Sequence, residues 1–261
     1  MAEAVSATGA ASPDFVQSFA RGLAVIRAFD AEHPELTLAE VARRVGIPPA
    51  AARRFLRTLE MLGYVRSDHR TFALTPLVLE LGFSYLSALS LPEAMQPHLE
   101  ALSHEIGESV SAAVLADTDI VYIARVPTRR IMTVGITIGT HFPAYATSMG
   151  RVLLAALSEE QRASLLDAAV LDELTPRTIT DSKRLAAELD TVASQGWALV
   201  DGELEPGLRS LAVPVYGKDG SVAAAINLST SATRHSIEEL RGLLPRVLDT
   251  ATAIERDLRH L

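Results

Sequence analysis

The segment from Thr37 to Thr75 limits the possible folds of this chain more than any other segment. Two short helical patterns are separated by Gly46 and by the pair Pro48-Pro49, and a strand–turn–strand pattern follows. Gly46 suits the left-handed position that ends a helix, while the prolines cannot continue that helix but can begin the next. This order is typical of a winged helix-turn-helix, which places its second helix in the major groove of DNA. We therefore predict such a domain over residues 15–76.

Three helices are predicted in this domain. Apolar residues at spacings of three and four indicate a first helix: Phe15, Phe19, Leu23, Ile26 and Phe29. Thr37 and Glu40 form a capping box for a second helix over Leu38–Val45. The third helix is expected over residues 49–62, with an inner face made of Ala52, Phe55, Leu56, Leu59 and Leu62. A hairpin over residues 64–74, the wing, completes the domain.

The third helix turns basic side chains outward. We expect DNA contacts from Ala50, Ala51, Arg53, Arg54 and Arg57 on this helix, and from Arg66, His69 and Arg70 in the wing. The alternative is a solvated, arginine-rich helix that packs on its neighbour, with Arg54 held by Glu60 or by another acidic residue of the domain. The charge distribution favours DNA, because residues 15–77 carry nine Arg against six acidic residues, whereas residues 78–261 carry 15 basic against 24 acidic residues.

The remaining sequence predicts a second domain of a different kind. Residues 1–14 are rich in Ala and Ser and predict a disordered tail. Residues 77–91 predict a linker helix that is apolar nearly all round, so we expect it to dimerise. Residues 92–261 combine helices with strands joined by hairpins, including a strand over 131–138 and one long C-terminal helix capped by Ser236. The predicted fold class is therefore α+β with an antiparallel sheet.

A small-molecule pocket is predicted in the second domain. The strand that begins at Val222 alternates, so that one face holds Ala223, Ala225, Asn227 and Ser229, and its small residues leave room for a ligand. The segment 143–150 leads into a helix whose N-terminus can seat a carboxylate. Arg125 lies in an apolar strand and would need an anionic partner. The alternatives are a solvated strand face and ordinary structural salt bridges.

Several classes of function are excluded or disfavoured. The chain has no cysteine, which excludes disulfides, thiolate zinc sites and a cysteine nucleophile. No metal-ligand spacing or cofactor motif stands out, so we expect no metal and no cofactor. No apolar run is long enough to span a bilayer, and we expect a cytoplasmic protein without a membrane partner. Two rivals stay open: a serine hydrolase or amidase that uses Ser148 with His141, and a winged-helix scaffold that binds protein.

These patterns together resemble the isocitrate-lyase-regulator (IclR) family of bacterial transcription factors. The resemblance is carried by residues 18–23, 38–42, 54–59, 62–65 and 143–155, and by the spaced Asp201, Glu203 and Gly207. It implies a GAF-like effector domain, a dimerising linker helix, homodimers that often pair into tetramers, and double-stranded operator DNA as the partner. Contact with RNA polymerase is left open. Arg21, in the first of these motifs, joins the expected DNA contacts.

The resemblance also implies the position of a small-molecule site. The family's site maps onto Thr147, Ser148, Met149, Gly150, Asp201, Ser210, Asn227 and Ser229. Residues 125–136 and 143–150 are similar to the branch that regulates β-ketoadipate-pathway genes, whose members sense protocatechuate, 4-hydroxybenzoate or β-ketoadipate. On that likeness we expect a small carboxylate effector of this kind, and we add Arg125, Arg130 and Tyr145 to its site.

Two departures from the family pattern affect these expectations. Many members have Ser-Thr where this chain has Ala50-Ala51, so phosphate contacts at the start of the third helix are expected to differ. Many have Cys and Ser where this chain has Ser210 and Asn227, which is expected to change effector selectivity.

Overall fold

The computed structural model describes residues 15–30, 32–68, 70–81, 91–128 and 136–260. The chain divides into two compact units, residues 1–85 and residues 86–261. No helix in the described ranges is long and apolar enough to cross a membrane. The predicted tail over residues 1–14 lies outside the described residues, as do residues 82–90 of the predicted linker helix.

The first unit contains three helices and a small sheet in its described part. The helices are α1 (Gln17–Arg27), α2 (Leu38–Val45) and α3 (Pro49–Met61), and the strands are β1 (Glu35–Thr37), β2 (Val65–Asp68) and β3 (Thr71–Leu74). The strands are antiparallel in the order β1–β3–β2. The predicted winged helix-turn-helix is confirmed. The sequence analysis missed β1, a three-residue strand that extends the wing hairpin.

The turn between α2 and α3 has local causes. The Thr37 hydroxyl accepts a hydrogen bond from the backbone N–H of Glu40, and the Glu40 carboxylate accepts one from the backbone N–H of Thr37, so the predicted capping box is present. Gly46 ends α2 with φ of 69°, a left-handed conformation that glycine adopts without strain. Pro49 then occupies the first turn of α3. The chain therefore reverses at the position that the sequence indicates.

Two predicted helix faces in this unit are wrong in part. Phe15, Phe19 and Leu23 of the predicted apolar stripe are exposed, whereas Ile26 and Phe29 pack in the core together with Val25 and Ala28. Leu62, predicted on the inner face of the third helix, is 59% exposed. It follows the last residue of α3 and precedes Gly63, where φ of 84° turns the chain towards β2.

Only the start of the predicted linker helix is described. The Thr75 hydroxyl accepts a hydrogen bond from the backbone N–H of Leu77 and caps a 3-10 turn over Pro76–Val78. Residues 79–81 are helical. Leu79 is 71% exposed and Leu81 is 51% exposed, so this apolar helical turn is exposed to solvent.

The second unit is built around a larger sheet. Its described helices are α4 (Leu91–Ile106), α5 (Ser148–Ala155), α6 (Glu159–Ala168), α7 (Ser182–Gln195), α8 (Ile237–Gly242) and α9 (Leu244–Leu258). Its described strands are β4 (Ser109–Ala116), β5 (Asp119–Val126), β6 (His141–Pro143), β7 (Ala198–Asp201), β8 (Leu208–Tyr216) and β9 (Val222–Ser231). The strands run antiparallel in the order β6–β5–β4–β9–β8–β7. The predicted α+β class with an antiparallel sheet is confirmed.

Each face of this sheet has its own apolar core. On one face, Leu99 of α4 and Val247 of α9 pack with Ile226 of the central strand β9. On the other face, Met149 of α5 and Leu185 of α7 pack with Ala225 of the same strand. Because neighbouring residues of a strand point to opposite faces, Ala225 and Ile226 serve different cores. The small side chains on the α5 face allow that helix to lie close to the sheet.

Two predicted elements of this unit differ in the structure. Residues 136–138, the described part of the third strand predicted over residues 131–138, form no strand, and the strand that pairs with β5 is His141–Pro143. The single long C-terminal helix is instead two helices, which meet at Leu243. Pro245, in the first turn of α9, has no backbone N–H to continue the preceding helix and suits a helix start.

Candidate nucleic-acid interface and effector site

The outer face of α3 is basic. Arg53, Arg54 and Arg57 are exposed, whereas Leu56 and Leu59 on the opposite face are buried in the core of the first unit. Arg57 lies 3.8 Å from a carboxylate oxygen of Glu60. Within the described residues, Arg53 and Arg54 have no acidic partner. Glu60 interacts with Arg57 and Ser67 instead, so the alternative in which Glu60 holds Arg54 is wrong.

The start of α3 is free of side-chain caps. Pro48 occupies the N-cap position and offers no capping hydrogen bond. Ala50 is exposed and Ala51 half-buried in the first turn, and neither side chain can hydrogen-bond a phosphate. Any phosphate contact at this position must therefore come from the backbone N–H groups that a helix N-terminus leaves available.

The residues outside α3 that are expected to contact DNA differ in whether an acidic side chain already pairs with them. Arg70 lies exposed next to the tip of the wing and Arg21 is exposed on α1. Arg66 is exposed on β2, but its guanidinium donates a hydrogen bond of 3.0 Å to Glu35 of β1. A phosphate at Arg66 would have to share or displace that carboxylate. His69 lies outside the described residues.

A row of polar side chains crosses the larger sheet on the α5 face. In the strand register, Ser111 of β4 lies opposite Arg125 of β5 on one side and opposite Asn227 of β9 on the other. Asn227 in turn lies opposite Ala212 of β8, which belongs to the core beneath α5. Directly paired residues share a face of the sheet. Arg125, Ser111 and Asn227 therefore point to the side that α5 covers, and we call them the polar row.

Neighbouring serines extend this polar surface. Ser229 lies two residues beyond Asn227 and pairs with Ser210 of β8 on the same face. The Asn227 side-chain amide donates a hydrogen bond of 3.0 Å to the Ser229 hydroxyl, and Arg125 donates one of 3.2 Å to the Ser111 hydroxyl. Ser210, Asn227 and Ser229 are all buried. The structure thus brings together Ser210, Asn227 and Ser229, which the sequence analysis assigned to the pocket, but not Asp201.

Three buried polar atoms on this face have no hydrogen-bond partner among the described residues. They are Nε of Arg125, Oδ1 of Asn227 and the hydroxyl of Ser148 at the start of α5. A buried polar group without a partner is costly, and native structures rarely keep one without a reason. Burial also lowers the pKa of the Arg125 guanidinium, whereas the nearby Tyr122 phenolate would raise it. Arg125 is thus a cation that lacks a protein anion within hydrogen-bond distance in the described structure.

The turn over residues 144–147, which precedes α5, packs tightly against the first residues of that helix. The Thr147 hydroxyl accepts a hydrogen bond of 3.0 Å from the backbone N–H of Gly150. A Cβ on Gly150 would lie 2.1 Å from the backbone oxygen of Ala144, so only glycine fits. Met149 is packed in the core, and the Tyr145 hydroxyl donates to the backbone oxygen of Asp172. Thr147, Met149, Gly150 and Tyr145 therefore have clear packing roles.

Asp201 is separated from the polar row. It lies opposite Arg209 in the register, one residue along from the pair of Val200 and Ser210, so its side chain points to the other face of the sheet. Its carboxylate accepts hydrogen bonds from Arg209, at 2.8 Å, and from Arg177. The hydrogen bond from Arg209 lowers the pKa of Asp201 most, with a further contribution from Arg177. The sequence analysis placed Asp201 and Asn227 in one site, but in the structure their side chains lie on opposite faces of the sheet. Arg130 lies outside the described residues.

Two residues of this region were not singled out correctly from the sequence. Ser111 was missed, although Ser109 and Ser111 alternate with apolar residues in β4 and gave a signal. Arg151 was not placed near the site either, although it is buried and hydrogen-bonded to protein acceptors. Its guanidinium donates to Glu203 at 2.5 Å and to the backbone oxygen of Tyr145 at 3.0 Å. Arg151 therefore holds α5 in place.

The hydrolase alternative finds no support in this geometry. The Ser148 hydroxyl is buried and forms no hydrogen bond with any described side chain, so no base activates it. His141 is exposed on β6. No cluster of three or more potential metal ligands occurs in the described ranges.

Family models match both units of the chain. A model described as the IclR helix-turn-helix domain matches residues 18–69, and one described as the C-terminal domain of the bacterial transcriptional regulator IclR matches residues 83–256.

Curated relatives cover nearly the whole chain. It is 46% identical over 249 residues to the Pca regulon regulatory protein of Pseudomonas putida, covering 95% of this chain and 84% of that protein. It is 36% identical over 253 residues to the p-hydroxybenzoate hydroxylase transcriptional activator of Acinetobacter baylyi, covering 95% of this chain and 92% of that protein.

Solved structures share the fold. A transcriptional-regulator structure from Rhodococcus sp. RHA1 is 55% identical with a TM-score of 0.83, covering 94% of this chain and 98% of that one. An IclR homologue from Microbacterium hydrocarbonoxydans, solved in complex with 4-hydroxybenzoate, is 24% identical with a TM-score of 0.84, covering 94% of this chain and 100% of that one.

Proposed function

The chain belongs to the IclR family of bacterial transcriptional regulators, and from this premise we propose how its two units divide the work of regulation. It is a DNA-binding transcription factor of the Pca type and not an enzyme. We propose that the first unit binds a roughly palindromic operator as a homodimer, and that a small carboxylate bound by the second unit changes the affinity for that operator.

The exposed arginine face of α3 carries the proposed DNA contact. Arg53 and Arg54 are held by no acidic side chain in the described structure, and guanidinium groups suit bidentate contacts to guanine and phosphate. Arg57, Arg70 and Arg21 are proposed as phosphate contacts. Arg66 is proposed to contribute less, because Glu35 already shares its charge.

The unpartnered buried atoms of the polar row carry the proposed effector site. A carboxylate would supply Arg125 with an anion, and a ligand reaching along the row would offer partners to Asn227 and Ser148. The tight α5 turn from Thr147 to Gly150 is proposed as one wall of the site, and Ser210 and Ser229 as its floor. Asp201 is not included.

Aromatic acids and their ring-cleavage products are the effector class that we propose to test first. One curated relative is the Pca regulon regulatory protein, and another is the transcriptional activator of p-hydroxybenzoate hydroxylase. We infer that protocatechuate, 4-hydroxybenzoate or β-ketoadipate acts on this chain.

The remaining partners follow from the same proposal. The exposed Leu79 and Leu81 support a homodimer through the linker helix. Pairing of dimers into tetramers and contact with RNA polymerase are proposed as further steps of regulation. A cytoplasmic location accords with a protein that works on the chromosome.

One experiment tests both halves of the proposal. The purified chain is titrated into labelled DNA from upstream of its own gene, with each of the three acids present or absent. We expect retention of the DNA and a change in affinity with one acid. The same acid should raise the thermal midpoint, because a ligand at 100 times its Kd adds about 2.7 kcal/mol of stability. If the chain binds neither this DNA nor any other genomic fragment, the first half of the proposal is wrong. If no carboxylate changes the affinity for the DNA, the second half is wrong.

A further inference from the structure

A cleft lies where strand β7 ends and strand β8 begins. It is an open cleft of about 310 Å³. Its walls are formed by residues 175–177, 201–202, 206–207, Arg209 and Ala232. Pro176, Pro206 and Ala232 make apolar surface, while the charged groups are two arginines and one aspartate. The lining therefore carries a net positive charge, in a region of the chain that is acidic as a whole.

The two arginines of the cleft share one carboxylate. Arg209 donates through Nε to Asp201 at 2.8 Å and through Nη1 to the backbone oxygen of His235 at 2.7 Å. Arg177 donates to the other oxygen of Asp201 through Nη1. The Arg177 side chain is 63% exposed, so most of its five N–H donors remain available to an anion at the cleft.

The floor of the cleft is held in a fixed shape. The Thr175 hydroxyl donates a hydrogen bond of 2.6 Å to the backbone oxygen of Gly202. The Thr178 hydroxyl donates one of 2.6 Å to the backbone oxygen of the next residue, Glu203. Gly202 has φ of 72°, and a Cβ there would lie 3.3 Å from Cδ of Arg177. The loop is thus tied down at the point where Arg177 crosses it, which positions the arginine before any ligand arrives.

The cleft is distinct from the polar row. Asp201 and Arg209 pair with each other and point to the sheet face opposite to Ser210 and Asn227. A molecule in the cleft therefore does not occupy the proposed effector site.

We propose that this cleft is a second ligand site, which binds a small oxyanion on the free N–H donors of Arg177, beside the pair of Arg209 and Asp201. The Arg177 guanidinium provides charge-assisted hydrogen bonds, Asp201 holds that guanidinium in place, and the prolines and Ala232 provide an apolar wall. Phosphate and a short carboxylate such as acetate share this chemistry and are distinguished by the experiment.

The only tryptophan of the chain lies four residues before Asp201 and serves as a fluorescence probe. Trp197 directly precedes β7, the strand that ends at Asp201. The full chain is titrated with sodium phosphate and, separately, with sodium acetate, each against sodium chloride at equal ionic strength. We expect a saturable change in tryptophan fluorescence with at least one oxyanion and none with chloride. Saturation with phosphate alone or acetate alone identifies which oxyanion geometry the cleft prefers.

Two variants assign the response to the cleft. Arg177→Gln removes the exposed cation and is expected to weaken the apparent oxyanion affinity about tenfold, the usual effect of losing a charge-assisted hydrogen bond. Arg246→Gln is the matched control: it also removes an exposed arginine, 60% accessible, that pairs with one acid, Glu105 at 3.2 Å. Its affinity should equal that of the wild type. The proposal fails if neither oxyanion gives a response beyond that of chloride, if Arg177→Gln binds as tightly as the wild type, or if both variants weaken binding equally.

Discussion

Arg54 is the single residue on which the proposed DNA contact is best tested. It lies on the exposed face of α3 without an acidic partner in the described structure, whereas Arg57 has Glu60 and Arg66 has Glu35 nearby. If Arg54 contacts a guanine, Arg54→Gln should cost about 1–3 kcal/mol of operator affinity and relax specificity at one base pair. If it contacts a phosphate, the loss should be uniform across sequences and the salt slope should fall by about 1.

Fluorescence anisotropy over a salt series separates these outcomes. Arg246→Gln, which changes the charge of the second unit by the same amount, is the control and should bind the operator as the wild type does. An Arg54→Gln variant with wild-type affinity and salt slope would show that α3 does not enter the groove with this face.

Asn227 is the corresponding residue for the effector. It is buried at the β9 end of the polar row, and its Oδ1 atom has no hydrogen-bond partner among the described residues. Asn227→Leu keeps the volume similar but removes both polar atoms, so we expect the operator response to the effector to disappear while operator affinity stays unchanged. The lost hydrogen bond to Ser229 should cost about 1 kcal/mol of stability. Ser231→Ala, later in the same strand, should leave the response intact. Retention of the response by Asn227→Leu would place the effector elsewhere.

The residue-scale result for Asp201 shows why a motif does not fix a site. Asp201 and Ser210 both carried over from the family likeness. Neighbouring strand positions face opposite ways, and only the pairing of Asp201 with Arg209 reveals which way it points. That pairing depends on the register of two strands, which the spacing along one chain does not determine.

At the scale of elements, the first turn of α5 depends on Gly150. A Cβ at this position would lie 2.1 Å from the backbone oxygen of Ala144, and backbone cannot move aside cheaply. Gly150→Ala should therefore destabilise the chain by about 1–3 kcal/mol or more, as overpacking does. Gly242→Ala is the matched control, since no atom lies within 4 Å of its added Cβ. In that helical position alanine should stabilise by about 0.4–1 kcal/mol.

Thermal unfolding of the two glycine variants measures this difference. The midpoint should fall for Gly150→Ala and should rise slightly, or stay unchanged, for Gly242→Ala. Equal midpoints for both variants would mean that α5 can withdraw from the Ala144 turn without cost.

Elements with strong local signals were predicted well. The capping box at Thr37 and the cap at Ser236 are both present, and Gly46 ends α2 in the left-handed conformation. The two short strands that the sequence did not indicate lie where pairing with a neighbouring strand decides the structure. Strands β1 and β6 are three residues long and exist because a neighbouring strand offers hydrogen bonds, so their own sequences carry little alternation.

The candidate site was predictable only in part for the same reason. The alternation in β9 placed Asn227 and Ser229 on one face, and a helix start near Ser148 was evident. The polar row additionally needs β4 to lie between β5 and β9, because that order brings Ser111 and Arg125 beside Asn227. Sheet order depends on contacts distant in sequence, and no local pattern in this chain encodes it.

At the scale of the whole molecule, the DNA-binding part and the effector-binding part of the chain carry opposite net charges. The basic excess of residues 15–77, the acidic excess of residues 78–261 and the two acidic residues Glu3 and Asp14 together give a net charge of -8. Such a chain gains little from non-specific attraction to DNA as a whole. Useful operator affinity must then come from two recognition helices acting together, with half-sites spaced ~10 bp or a multiple apart.

This requirement makes the dimer testable through one exposed leucine. Leu81, in the first helical turn of the linker, is 51% exposed, and we expect a partner chain to cover it. Leu81→Glu would bury an unpaired charge in that contact, so the variant should sediment as a monomer, with its fold unchanged by circular dichroism. Leu248→Glu is the control, because it alters a leucine of the second unit that is 42% exposed; this variant should stay dimeric.

The monomeric Leu81→Glu variant should bind an operator with two half-sites no better than one with a single half-site, whereas the wild type should prefer two half-sites. A Leu81→Glu variant that remains dimeric and keeps this preference would show that the dimer contact does not use the linker helix.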